Sequence, residues 1–249
     1  MAIIRKFGKP DLFVTVTCNP EWPEMAAALL ESNTPADRPG IVAHLFKLKL
    51  DALVKEVEVD RIFGETVASR PAVESQKRGL QHAHILIFLK KKITTEVVDT
   101  QDVVDDFVCA EVPTDNPQFQ NIVLDQIMHG PCGAVDPNAW CMRATGCCWK
   151  DFPKAFAPTT EWHEDDNDAH PTYRRRAPDA GGYSGIDARG RGIDNRWVVL
   201  YSPYLTLTYG SHINIDVCIS TRASTYLMFG RADLQVRRLL QSTMRSILG

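Results

Sequence analysis

Apolar and threonine positions alternate over residues 12–17, Leu-Phe-Val-Thr-Val-Thr, and the run stops at Asn19-Pro20. That alternation predicts a strand that closes in a turn. Residues 22–31 predict a short helix. Arg38-Pro39-Gly40 opens a longer one, with apolar residues at Ile41, Val42, Leu45, Phe46, Leu48, Leu50, Leu53 and Val54 in a largely amphipathic, helical spacing. Residues 67–73 predict a strand that Arg70 and Pro71 weaken, which suggests either an edge strand or a decayed one. Residues 85–89, Ile-Leu-Ile-Phe-Leu, contain no Gly or Pro and predict a further strand. Residues 94–109 are acidic, and 122–128 predict a short helix. Between about 130 and 195 the chain is rich in Pro, Gly, Asp and Cys, which predicts a loop-heavy insertion packed on the core, with a flexible Gly-rich part at 179–194. Residues 197–207 and 213–219 return to β-type composition, while 222–229 and 234–248 are helical in character.

The stretch just before the 85–89 run carries the most chemistry. His82 and His84 enter that strand two residues apart, so the period of two places both imidazoles on one face and Ala83 on the other. Two imidazoles on a rigid strand are ready ligands for a divalent cation. Upstream, Lys77-Arg78-Gly79 is basic and can bend, which suits a phosphate backbone arriving beside the metal.

A second set of ligand-type residues lies in the insertion. His129, Cys132, Cys141 and Cys147 are spaced His-x₂-Cys-x₈-Cys-x₅-Cys, with Cys148 adjacent to the last. Three thiolates and one imidazole can hold a structural zinc. Either Cys147 or Cys148 can complete the set, and small buried thiols without a metal are the alternative. Tyr173-Arg174-Arg175-Arg176 offers guanidinium forks for phosphates and a ring for a base, or else a solvated basic turn.

Composition sets bounds on these readings. With 249 residues the chain is long enough for one large domain, and a hydrophobic content of 44% with 24% charged is ordinary for a globular protein. A formal net charge of −3 means that any DNA contact must come from local basic clusters. No apolar run approaches the roughly eighteen residues of a membrane span. Arg5, Lys6, Lys9 and Asp11 interrupt any signal-peptide core, so an intracellular setting is expected, where the seven cysteines are thiols or metal ligands.

The string 76–86, Gln-Lys-Arg-Gly-Leu-Gln-His-Ala-His-Ile-Leu, resembles the histidine motif of the Helitron transposon Rep domain, a branch of the HUH endonucleases. Residues 11–24 resemble that family's first motif. His129-Gly130-Pro131-Cys132-Gly133, Cys141-Met142, Phe152-Pro153-Lys154 and 173–176 resemble its middle, and 194–199 with 212–218 its end. The blocks occur in the family's order from about residue 7 to about residue 227. The resemblance implies metal-dependent nicking and joining of single-stranded DNA in rolling-circle transposition, in the nucleus, without a small-molecule substrate. It implies His82 and His84 as metal ligands, Glu74 or Asn19 as a further oxygen ligand, and Tyr226 as the nucleophile.

The chain also departs from the family. Helitron Rep proteins place two tyrosines four residues apart on one helix with a lysine between, whereas here Tyr226 is followed by Phe229 and Gly230 at the lysine and second-tyrosine positions. No Gly-x₄-Gly-Lys-[Ser/Thr] loop is present, so ATP-driven unwinding is not expected.

The reading is therefore an α+β fold, a central antiparallel sheet with flanking helices of HUH/Rep type and a Cys-rich, loop-heavy insertion. It is taken as one domain over 1–249, with a histidine half at 1–110, the insertion at 111–195, and C-terminal strands with a truncated tyrosine helix at 196–249. The rival is a non-catalytic transposon remnant or a zinc-stabilised DNA-binding or interaction module.

Overall fold

The computed structural model describes residues 2–29, 33–75, 80–93, 100–143, 146–162 and 171–218. In chain order the elements are α1 (Ala2–Phe7), β1 (Leu12–Thr17), α2 (Pro23–Ala28), α3 (Pro39–Lys55), β2 (Thr66–Ser75), β3 (Gln81–Leu89), α4 (Thr100–Phe107) and α5 (Pro117–Gln126). They continue with β4 (Ser184–Ile186), β5 (Gly192–Asp194), α6 (Pro203–Tyr209) and β6 (Ile213–Val217). The fold is α+β, built on a four-stranded sheet in the order β2-β3-β1-β6 with every pairing antiparallel.

The alternation in β1 sets the two faces of this sheet. Leu12, Val14 and Val16 point to one side with Ala83, Ile85 and Ile87 of β3 and Ile213 and Ile215 of β6. There they meet Val42, Phe46, Leu50 and Leu53 of α3 in the main core. Each fully buried aliphatic side chain contributes roughly 1.5–3 kcal/mol. The opposite face is apolar only at one end, where Phe13, Leu86 and Phe88 pack with Cys218 under Ile3 and Phe7. Along β3 this face changes from Phe88 and Leu86 to His84 and His82, which is how the histidines come to lie beside a core without being part of it. Pro71 is accommodated because β2 is an edge of the sheet.

Two expectations need correction. Residues 197–207 do not form a strand. A 3₁₀ turn, Asn195–Trp197, is followed by helix α6. Pro203 occupies the first turn of that helix, and Gly210, with φ of 53°, ends it by donating its N–H to the Thr206 carbonyl. Punctuation by Pro and Gly overrides the β-type composition. The Gly-rich stretch at 179–194 holds a small hairpin, β4 with β5. The Asp187 carboxylate shapes its turn by accepting from the Arg189 and Arg191 N–H groups and the Arg191 side chain. The expected helices at 222–229 and 234–248, with Tyr226, Phe229 and Gly230, lie outside the described residues, as do Lys77 and Arg78.

One buried charge ties the start of β1 to the end of β3. Asp11 is 0% exposed. Its carboxylate accepts from the Leu89 N–H at 2.8 Å, the Ile93 N–H at 3.0 Å and Lys92 Nζ at 2.8 Å. Asp11→Ala would strand the Leu89 and Ile93 N–H groups, while Lys92 keeps the Lys9 carbonyl and solvent, so a loss of about 3 kcal/mol is expected. Urea denaturation of the variant checks this, and an unchanged midpoint would refute the clamp.

Candidate functional site

The His82 and His84 pair takes its geometry from strand register. On β1, Thr17 lies opposite His82 and Thr15 opposite His84. On β2, Glu74 lies opposite His82 and Ala72 opposite His84. Residues directly opposite share a face, so both threonines and Glu74 belong to the histidine surface. The two imidazole centroids are 4.7 Å apart. Thr17 Oγ1 is 2.9 Å from His82 Nδ1, and Thr15 Oγ1 is 3.4 Å from His84 Nδ1. When each Nδ1–H donates to its threonine, the tautomer is fixed and the Nε2 lone pair is the ligand atom. Glu74 Oε2 stands 4.0 Å from His84 Nε2, a carboxylate on the side where a cation would sit. Two imidazoles and a carboxylate form a donor set that a divalent cation could take.

Asn19 has other duties. Its Nδ2 donates to the Gly210 carbonyl at 2.7 Å, and its Oδ1 accepts from the Glu21 N–H at 2.8 Å. The amide closes the turn after β1 and ties it to the end of α6.

The insertion brings four expected ligands together. His129, Cys132, Cys141 and Cys148 are all buried, and their ligand atoms lie within 4.8 Å of one another, so they could hold one metal ion. His129 Nε2 is 3.7 Å from Cys132 Sγ and 3.6 Å from Cys148 Sγ. Tetrahedral bonds of thiolate and imidazole length place sulfur and nitrogen about 3.6 Å apart. Of the adjacent pair, Cys148 belongs to the cluster while Cys147 is exposed. The electrostatics suit ligation. Burial, aided by the charges of Lys150 and Lys154, holds the His129 imidazole down at about 4, so the ring is neutral at neutral pH. Burial and the neighbouring thiols push Cys132 up. Burial works to raise Cys148 too, but backbone hydrogen bonds at Phe152 and Lys150, with the neighbouring thiols, outweigh it and lower this thiol.

In the stretch 173–176, Tyr173 and Arg175 are committed to the fold, whereas the Arg174 and Arg176 side chains are 40% and 45% exposed. Tyr173 is buried, donating to Asp216 Oδ1 at 2.6 Å and accepting from the Val217 N–H at 3.1 Å, so it does not offer its ring to a base. Arg175 is 5% exposed, and its Nη1 donates to the Asn195 and Val198 carbonyls at 2.8 and 2.7 Å. It is a brace inside the protein, with burial lowering its pKa to about 10. Arg176 grips Glu111 through two nitrogens, Nε at 3.0 Å and Nη2 at 2.7 Å, and Arg174 reaches Asp105 and the same glutamate. Sequence reading missed Glu111 because the partner of this basic run lies some sixty residues away, and nothing local marks it.

Thr15 and Thr17 were legible in principle, since Thr-x-Thr on β1 has the same period of two as His-x-His on β3. Among the described residues, no helix is long and apolar enough to cross a membrane. No curated protein matches the chain. Residues 1–87, which run from α1 to the histidine pair on β3, match the family model of the Helitron helicase-like domain at N-terminus.

Proposed function

We propose that the chain is the single-stranded-DNA nicking domain of a Helitron-type transposon protein, of HUH type, acting in the nucleus, and that His82, His84 and Glu74 hold its catalytic Mg or Mn ion. The observation that carries this reading is the pair of imidazoles on one face of β3, each set by a threonine of β1, inside the segment that matches the Helitron family. A divalent ion there supplies charge stabilisation for a scissile phosphate. The chain's own residues do the rest. Thr15 and Thr17 keep the imidazoles oriented, and Lys77 and Arg78 contact the incoming backbone. The phenol of Tyr226 loses its proton to solvent and attacks phosphorus, the P–O3′ bond breaks, and the 3′-oxygen takes up a proton. The 5′-phosphate remains on the tyrosine. Because Phe229 and Gly230 replace the second half of the family's helix, one covalent event per chain is expected and coupled strand transfer is not.

Incubation with single-stranded DNA and Mn²⁺ tests this. A slow accumulation of protein–DNA adduct, mapped to Tyr226 and absent from Tyr226→Phe, is expected. Nicking by Tyr226→Phe at the parent rate refutes the chemistry. The second reading, a zinc-stabilised DNA-binding remnant, is favoured by the buried cluster of three thiols and one imidazole. Zinc with no nicking, even after Phe229→Lys and Gly230→Tyr, would select it.

A further inference from the structure

We propose that the surface beside the cysteine cluster is a stacking platform for single-stranded DNA, with Trp140 as the base-stacking residue and Lys150 and Lys154 as the phosphate contacts. This rests on DNA as the partner in the reading above and not on nicking.

Trp140 is 68% exposed, an unusual position for the largest apolar side chain. The ring is nevertheless held in place. It meets Trp149 edge to face at 5.8 Å between centroids and lies 6.3 Å from the His129 ring, and the next residue, Cys141, is a buried member of the cluster. A ring fixed before binding loses little freedom when a base arrives. Cations are interleaved with these aromatics. Lys150 Nζ is 5.3 Å from the Trp140 centroid and 5.4 Å from that of Trp149, and Lys154 Nζ is 5.4 Å from that of Phe152. The Arg196 guanidinium lies 4.7 Å from the ring of Phe156, which is itself 37% exposed, but its charge is taken up by Asp194, so the phosphate contacts of this face are the lysines.

The local charge is opposite to that of the whole. Between residues 139 and 156, Arg143, Lys150 and Lys154 stand against Asp151 alone, in a chain of net charge −3. A positive strip with a projecting indole complements a polyanion whose bases are exposed, because an aromatic face stacks on any base while the cations follow the phosphates. A duplex hides its base faces, so the chemistry selects a single strand.

The test is fluorescence anisotropy of a labelled single-stranded oligothymidylate with the full, metal-loaded chain. The chain carries its zinc but Mg²⁺ and Mn²⁺ are left out of the buffer, so a failure of nicking does not affect the result. Trp140→Ala should weaken binding roughly tenfold while Trp140→Phe keeps most of it. Lys150→Ala with Lys154→Ala should weaken binding and flatten its salt dependence. Unchanged zinc content in Trp140→Ala shows that the scaffold is intact. Parent protein that does not bind the oligonucleotide, or Trp140→Ala that binds as tightly as the parent, overturns the proposal. Tighter binding of a matched duplex or oligoribonucleotide overturns the assignment to single-stranded DNA.

Discussion

Freshly purified, reduced protein should carry about one equivalent of zinc, and removing its ligands should open the insertion. His129, Cys132, Cys141 and Cys148 come from a stretch with few regular elements, and their side chains form much of a small core with Ile193 and Trp197. Without metal, Cys132 and Cys141 end above their usual range, chiefly through burial, so the pocket disfavours charge on those two, whereas at Cys148 burial is outweighed by backbone hydrogen bonds and the neighbouring thiols, which lower it. A divalent ion reverses that balance by binding the thiolates and releasing their protons. Structural zinc in small sites contributes roughly 10–16 kcal/mol of apparent binding free energy at neutral pH, far more than the local apolar contacts supply. Cys132→Ser with Cys141→Ser should therefore lose the zinc and become sensitive to trypsin at Arg143 and Lys150, while the sheet stays folded. Cys147→Ser should change neither property, because Cys147 is exposed and outside the cluster. Zinc-free parent protein, or zinc retained by the double variant, would reject the site.

The contrast between Cys147 and Cys148 shows where the sequence stops being legible. The sequence left both cysteines open, and only the fold around Phe152 and Lys150 turns Cys148 inward. Strand β1 was readable from its alternation, β3 from an apolar run without Gly or Pro and β6 from its β-type composition, while Arg70 and Pro71 weakened β2, the strand that proves to be an edge. Helix α3 was readable from its apolar face. Helix α6 was not, since Leu205, Thr206 and Tyr209 are β-type residues buried by tertiary contacts, and its two signals were Pro203 and Gly210 at the ends. The histidine pair could be read as a pair. Its two supporting threonines depend on the register between β1 and β3, which no single segment encodes. The 173–176 run looked like a binding surface because arginines are ordinarily exposed, whereas here Arg175 braces carbonyls and Glu111 neutralises Arg176.

Mn²⁺ should bind to the zinc-loaded parent in calorimetry, and His82→Ala with His84→Ala should abolish that event. Both imidazoles are needed because a cation held by Glu74 alone would have one exposed carboxylate, 58% accessible, and water would compete well for the ion. The strand supplies the preorganisation. His82 is 9% exposed and sits between Glu74 on one neighbouring strand and Thr17 on the other, so little of its freedom remains to be lost on binding. Thr17→Val keeps the side-chain volume close and removes the oxygen 2.9 Å from His82 Nδ1. The ring can then adopt the other tautomer, with its proton on Nε2, and Mn²⁺ affinity should fall roughly 10- to 100-fold. A purely structural role for Thr17 would lower stability and leave the affinity of folded protein unchanged, so thermal melts measured beside the calorimetry separate the two. Glu74→Gln should weaken binding less than loss of the histidines, because an amide oxygen still donates without the charge. Mn²⁺ binding that survives in the double histidine variant would remove the metal from β3 and, with it, the basis for a nicking reaction at this face of the sheet.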